Sequence, residues 1–486
     1  MRTTNALLGF FTHVCLLAAL LLLPSVQAST VASMDISQEL HTDDFEQILK
    51  RRTLRILVVY SPTFYFIDKG QPKGLTYEAM ESFVKQLNQK HHTGKLPIKA
   101  MFIPVHRDEL IPALQAGRGD IAATNLTITP ERSKQVAFSK PFADQVHEVL
   151  VQGSAAKPIT SVQGLSGASV YVRKSSSYYE SLQNLNQQLR QQGLAEVHVH
   201  LAPDALEDED LLQFANSGLI DNLVVDQHKA RLWEKILPNI HVRHAVAVRE
   251  NGQIAWMLRQ SNPQLKAEID AHISHELGKN QKDHNWRLIK YLKRTAYLNN
   301  TQSAQARARF SKTVELFKHY SAQYDADFIL MIAQGYQESR LNQAARSPVG
   351  AIGIMQLMPA TGKEMGVGDI HELSANIHAG VKYIQKIRNS YFADPAIDDL
   401  NRHLLSFAAY NAGPNRINKL RKVAAQRGLD PNIWHNNVER VVAEKVGREP
   451  VNYVANIYAY YVAYTLAMQQ GNDRAEAREH FTPQAQ

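Results

Sequence analysis

The stretch Ile329-Leu-Met-Ile-Ala-Gln-Gly-Tyr-Gln-Glu-Ser339 decides how the C-terminal part of this 486-residue chain folds. Phe328, Ile329, Met331 and Ile332 open an amphipathic helix, and Asp325 is placed to cap its first turn. The one acid of the stretch, Glu338, falls in the last turn, where a negative charge opposes the helix dipole. Such a position raises a carboxyl pKa and suits a general acid working near neutral pH. The next segment, Ser347-Pro-Val-Gly-Ala-Ile-Gly-Ile-Met-Gln-Leu-Met-Pro359, is rich in glycine and amides, and no Asp or Glu occurs from Ser339 to Lys363. Most glycosidases use two carboxylates. A site with one must draw its nucleophile from elsewhere, most simply from the substrate. An isolated Glu at a helix end is more often a solvated surface residue, so further signals have to decide. One is Ser406-Phe-Ala-Ala-Tyr-Asn-Ala-Gly-Pro414, a second tight polar segment in which small residues bracket Tyr410 and Asn411.

From about Phe310 to Met468 the chain resembles the catalytic domain of the Slt-type lytic transglycosylases. The resemblance rests on Glu338-Ser339, Gly353-Ile-Met-Gln-Leu-Met-Pro-Ala-Thr361, Ala409-Tyr-Asn-Ala-Gly413 and Glu449-Pro-Val-Asn-Tyr-Val454, in the family's order and approximate spacing. Pro450 stands where the family commonly has Thr, and Ala326 where relatives often carry Pro; neither touches the chemistry. The resemblance implies an all-α, lysozyme-like domain that cleaves the glycan strands of peptidoglycan and leaves a 1,6-anhydro product. It implies Glu338 as the catalytic residue and Ser339, Ser347, Gln356, Met358, Tyr410, Asn411 and Tyr453 as substrate-binding residues. Tyr410 is the expected hydrogen-bond partner of Glu338. No cofactor and no metal site are expected. A muramidase that adds water is an alternative, as is a solute-binding protein with an inert C-terminal domain.

Ahead of this domain lies a different pattern. Leu54-Arg-Ile-Leu-Val-Val-Tyr60 is an apolar run of the buried-strand type, Ala79, Phe83 and Leu87 recur at helical spacing, and Ile98–Val105 reads as a second strand. Leu110–Gln115 is helical, Asp120–Ala123 strand-like, and a second series starts at Ala168–Val172 and includes Leu219–Asp226. Ile240–Val248 reads as a return crossing. Strands alternating with helices predict an α/β fold with parallel pairing.

Residues of about 53–292 resemble the family 3 periplasmic solute-binding proteins, which clamp an amino acid between two α/β lobes. The most specific stretch is Asn125-Leu-Thr-Ile-Thr-Pro-Glu-Arg-Ser-Lys134, running on to Val136–Phe142. The resemblance implies Arg132 as the group that holds a ligand carboxylate, a task that suits a planar two-pronged donor. It likewise implies Thr127 as a hydroxyl on that carboxylate, Asp226 as the acceptor of the α-ammonium and Tyr60 as an aromatic wall. Arg107 stands where relatives place a stacking aromatic, and Lys174 where they place a small residue. These departures point to an anionic or peptide ligand, or to no ligand at all; the expected partner of the module is an amino acid or a murein stem peptide.

The chain begins with Arg2 as its only charge before Asp35, an apolar run from Leu16 to Leu23, and small residues at Val26-Gln-Ala28. That is the layout of a secretory signal peptide, and the run is short of the roughly 20 residues that span a bilayer. Cys15 is the only cysteine and lies inside it, so the mature chain has no disulfide. The expected division is 1–28 leader, 29–294 solute-binding module and 295–486 transglycosylase domain, joined by a polar linker from about Arg294 to Ala308. Export to the periplasm, with peripheral attachment to the inner face of the outer membrane implied by the resemblance, completes the expectation. The formal charge of +8 fits a polyanionic wall polymer or anionic membrane face. No nucleic-acid motif or aromatic-interleaved basic stripe accompanies it, and His91-His92 reads as a polar loop.

Overall fold

The computed structural model describes residues 40–61, 63–68, 70–279 and 304–481. The predicted leader, and the predicted linker up to residue 303, lie outside the described residues. The linker's last part, Ala304 to Ala308, belongs instead to a helix.

The first lobe contains α1 (Phe45–Arg51), β1 (Thr53–Val58), the hairpin of β2 (Phe66–Asp68) and β3 (Gln71–Lys73), and α2 (Leu75–Lys90). It continues through β4 (Lys99–Pro104), α3 (Leu110–Gln115), β5 (Ile121–Thr127), α4 (Pro130–Ser133) and β6 (Ala137–Phe138). The chain leaves along β7 (Ala143–Gly153) and builds a second lobe from β8 (Ser169–Arg173), α5 (Ser177–Gln191), β9 (His198–Ala202), α6 (Asp208–Ser217), β10 (Asn222–Asp226) and α7 (Gln227–Glu234). It returns along β11 (Ile240–Leu258) and closes on the first lobe with α8 (Pro263–Lys279).

The strand order is β4-β1-β5-β11-β7-β10-β8-β9, with β6 beside β11. Strands β1, β4 and β5 pair in parallel, as do β8, β9 and β10. The antiparallel ribbon of β7 and β11 joins the two halves. Ile56, Val58, Phe83 and Ile121 fill one core, and Val149, Val170, Leu182 and Val224 fill the other. The return crossing expected from Ile240 is thus β11, and the α/β expectation holds for the whole unit.

The C-terminal part is helical: α9 (Ala304–Gln323), α10 (Phe328–Ser339), α11 (Pro359–Met365), α12 (Leu373–Tyr391), α13 (Asp399–Ala412), α14 (Pro414–Gln426), α15 (Glu439–Lys445) and α16 (Arg448–His480). Its core gathers Phe317, Met331, Met355, Phe407, Trp434 and Tyr461. No helix among the described residues is long and apolar enough to cross a membrane.

The last helix ties the parts together. Near its start, Tyr453, Val454 and Ile457 belong to the helical core. Farther on, Val462 is fully buried with Leu57, Ile103 and Val105 of the first lobe. Beyond its end Phe481 stacks on Phe214 of the second lobe, with ring centroids 4.8 Å apart. Burying a side chain such as Val462 stabilises by about 1.5–3 kcal/mol. Polar contacts add to this join: the Tyr464 hydroxyl donates to the Gly70 carbonyl, and Arg52 pairs with Glu439.

Candidate active site and ligand cleft

Helix α10 brings Glu338 to the helical site. Its N-cap is Asp327, whose carboxylate accepts from the backbone N–H groups of Ile329 (2.8 Å) and Leu330 (3.2 Å) and from the Tyr461 hydroxyl (2.8 Å). The cap expected at Asp325 is therefore corrected: Asp325 has a φ of 50° and lies two residues ahead of the cap position. At the other end, Arg340 adopts a left-handed conformation and stops the helix just past Glu338.

Glu338 is half-buried against α16. The Tyr453 hydroxyl donates to its Oε1 at 2.5 Å, and the Gln334 amide donates to that same hydroxyl at 3.2 Å. Burial pushes the Glu338 carboxyl up from 4.5 to about 8; the Tyr453 hydrogen bond opposes the rise and the charge of Glu449 adds to it. The cause is mainly desolvation, which disfavours the charged form. Tyr410, the expected partner, instead donates to the Met355 carbonyl at 2.8 Å. Burial pushes the Tyr410 phenol up and the charge of nearby Glu338 adds to the rise, but the hydrogen bond to Glu338 belongs to Tyr453.

The loop after α10 is held rigidly. Ser339 donates to the Ile354 carbonyl (2.9 Å) and accepts from the Asn342 N–H (3.0 Å). Ser347 accepts from the Ala351 N–H at 2.9 Å, and Gln356, at a φ of 46°, donates to the Gly353 carbonyl at 2.8 Å. Asn376 braces the loop from α12, accepting from the Met355 N–H and donating to the carbonyls of Ile352 and Ile370. Gly353 has a φ of 81°, and a Cβ there would collide with the Asn376 amide, so glycine is required on both counts. Met358 is 42% exposed, so it is not core packing. Asn411 donates to Glu449 at 2.8 Å.

Sequence reasoning missed Gln334, Asn376 and Glu449. Gln334 was legible as a polar residue inside an apolar helical run. Glu449 sits in a quoted motif, but its approach to Glu338 depends on the docking of α16.

The α/β unit carries a second cluster, between the lobes. Thr129 caps α4 and positions Arg132, whose Nη1 donates to the Thr127 carbonyl and Nη2 to the Ser175 carbonyl, both at 2.8 Å. Thr127 and Asp226 are buried, and Tyr60 is half-buried with its phenol pushed up to about 12 by desolvation, against the pull of Arg474. The lobes are bridged directly. Ser61 donates to Glu209 at 2.6 Å, Arg107 forks onto Glu207 at 2.6 and 3.2 Å, and Thr129 donates to Glu180 at 3.2 Å.

The acidic run Glu207-Asp-Glu-Asp210 is thus buried in the cleft rather than solvated. Arg173 takes Glu207 and Asp208, Lys229 takes Asp208 and Asp226, and Arg474 and Arg478 of α16 take Asp210. Arg107 therefore serves as a bridge between the lobes, and Lys174 points to solvent.

Two family profiles match the chain: bacterial extracellular solute-binding proteins, family 3, over residues 54–282, and the transglycosylase SLT domain over residues 315–432. A membrane-bound lytic murein transglycosylase F from Pseudomonas putida is 29% identical over 444 residues, covering 87% of both chains. Its counterpart from Pseudomonas fluorescens is 28% identical over 459 residues and 90% of both, and that from Desulfosudis oleivorans 27% identical over 422 residues. Among solved structures, an ancestral arginine-binding protein bound to arginine is 26% identical and covers 49% of this chain and 97% of its own, with a TM-score of 0.39. The chain joins a family 3 solute-binding domain to a transglycosylase SLT domain and is, over most of its length, a homologue of the lytic murein transglycosylases F.

Proposed function

We propose that Glu338 is the sole acid–base group of a lytic transglycosylase that cleaves the β-1,4 bond between N-acetylmuramic acid and N-acetylglucosamine in peptidoglycan. The observation that carries this reading is a carboxyl raised to about 8 by burial, with a phenol as its hydrogen-bond donor. At neutral pH such a group holds its proton and can give it to the departing glycosidic oxygen. It then accepts a proton from the muramic acid 6-hydroxyl as that oxygen attacks C1, closing the 1,6-anhydro ring. The attack is intramolecular, so the nucleophile is present at high effective concentration. Tyr453 fixes the carboxyl orientation. Ser339, Ser347 and Gln356 shape the loop beside it, while Met358, Tyr410 and Asn411 offer surface to the glycan.

The α/β unit is a regulatory module that binds an amino acid or stem peptide through Tyr60, Thr127, Arg132 and Asp226 and is not needed for bond cleavage. The mature protein works in the periplasm, attached to the inner face of the outer membrane. The test is mass spectrometry of products from purified sacculi. Anhydromuramoyl ends are expected, and reducing muramic acid ends would identify a hydrolase, with Glu449 the first candidate for its base. Glu338→Gln should abolish turnover without unfolding the domain; substantial remaining activity would assign the chemistry to another acid.

A further inference from the structure

The cleft between the lobes has an uneven charge pattern. Lys229 is buried, with its ammonium 3.1 Å from Asp226 Oδ2 and 2.6 Å from Asp208 Oδ2. It also lies 5.9 Å from the ring centre of Phe64, across the cleft on the first lobe. Asp226, the residue expected to receive a ligand's α-ammonium, is thus already neutralised from within the chain. Its other oxygen, Oδ1, is buried and has no hydrogen-bond partner among the described residues.

Arg132 shows the opposite condition. It is 7% exposed, and its guanidinium donates to two neutral carbonyls. Arg107, Arg173, Lys229 and Arg474 each pair with a carboxylate, whereas Arg132 forms no ion pair among the described residues. Glu180 and Glu148 lie near enough to act on its charge without pairing with it, and a buried cation that lacks a direct partner is stabilised by an added anion. Arg132 is therefore the cation left to pair with an added carboxylate, whereas Asp226 already has its ammonium.

We infer that this cleft selects a carboxylate whose neighbouring amino group is acylated, an N-acyl amino acid or the C-terminal residue of a peptide, and that Lys229 is the residue that rejects free amino acids. An amide N–H carries no charge and can donate to Asp226 Oδ1, the acceptor left over. A free α-ammonium would instead bring a second cation beside Lys229, in a desolvated site where like charges repel strongly. Entry requires the lobes to part, since Arg132, Ser61 and Arg107 all bridge them. The inference rests on the sensor reading above.

The test is calorimetric titration of the mature full-length protein with the common amino acids and, separately, with their N-acetyl forms. The best N-acetyl ligand should bind at least about tenfold more tightly than its free counterpart. Lys229→Met should reverse that preference, and Lys229→Arg, which keeps the cation, should preserve it and serve as the folding control. Free amino acids binding better than their N-acetyl forms, or a preference unchanged in Lys229→Met, would overturn the inference while leaving the sensor reading intact. Binding of neither series would overturn the sensor reading and the inference with it.

Discussion

Glu338→Gln should make the protein more stable, and only where the pH exposes the difference. An ordinary glutamate loses its proton near 4.5, Glu338 at about 8. Below 4.5 the folded and unfolded chains both carry the proton, and Gln gains nothing over Glu. Between 4.5 and 8 the unfolded chain gives up the proton while the folded one keeps it. The folded state then binds more protons, so stability falls as pH rises. Above 8 the folded state must hold a poorly solvated carboxylate, and the penalty levels off. The gap of about three and a half pH units, at ~1.4 kcal/mol each, caps that penalty at ~5 kcal/mol. Half-burial admits water, which lowers it to roughly 2–4 kcal/mol. For a helical domain of this size the corresponding shift in melting temperature is about 5–10 °C. Differential scanning calorimetry of both proteins from pH 4 to pH 9 measures it. The Gln variant should melt with the wild type at pH 4 and above it at pH 9. A shift that is constant with pH, or a less stable variant at pH 9, would show that Glu338 is an unperturbed acid.

Three more perturbations probe the same geometry. Tyr453→Phe removes the donor that favours the charged form of Glu338, so the alkaline limb of kcat should move up by about 1–2 pH units. Tyr410→Phe, whose hydroxyl serves the Met355 carbonyl, should leave that limb in place and lower stability by ~1 kcal/mol; equal shifts in the two pH profiles would contradict the assignment. A fragment of residues 295–486 should still release anhydro products from sacculi, within about tenfold of the full chain, since Glu338, Tyr453 and Gln334 all lie within it. It should melt lower, because Val462 loses its place in the first lobe. A folded but inactive fragment would mean that the α/β unit completes the active site.

Much of the architecture was legible because it rests on local periodicity. Ala79, Phe83 and Leu87 face one core from a single helix, and the apolar runs at Leu54, Ile98 and Ala168 became paired strands. The helix cap was misplaced because the turn before α10 contains two aspartates, Asp325 and Asp327, and spacing alone does not say which one the chain turns toward. Tyr453 and Tyr410 are both tyrosines in matching motifs; which of them reaches Glu338 depends on the angle at which α16 crosses α10. The acidic run at Glu207–Asp210 carries no apolar period that marks it as buried. Its burial needs cations from four separate places, Arg107, Arg173, Lys229 and the end of α16. Contacts of that range leave no periodic trace.

The same helix constrains how the two halves can influence each other. Helix α16 carries Tyr453 near its start and Arg474 and Arg478 near its end, roughly 30 Å apart along a regular helix. Between them it is buried in the first lobe through Val462, while its far end is bound to Asp210 of the second. Parting the lobes therefore leaves two routes. Either the arginines release Asp210, or α16 shifts against the first lobe and carries Tyr453 with it. Separating a buried charge from its partners costs about 3–5 kcal/mol, comparable to the differential affinity that a ligand needs to reverse a two-state equilibrium. The second route moves the group that restrains the rise of the Glu338 pKa. A ligand that distinguishes open from closed lobes would then alter the proton affinity of the Glu338 carboxyl without touching it, which no rearrangement confined to the cleft could do.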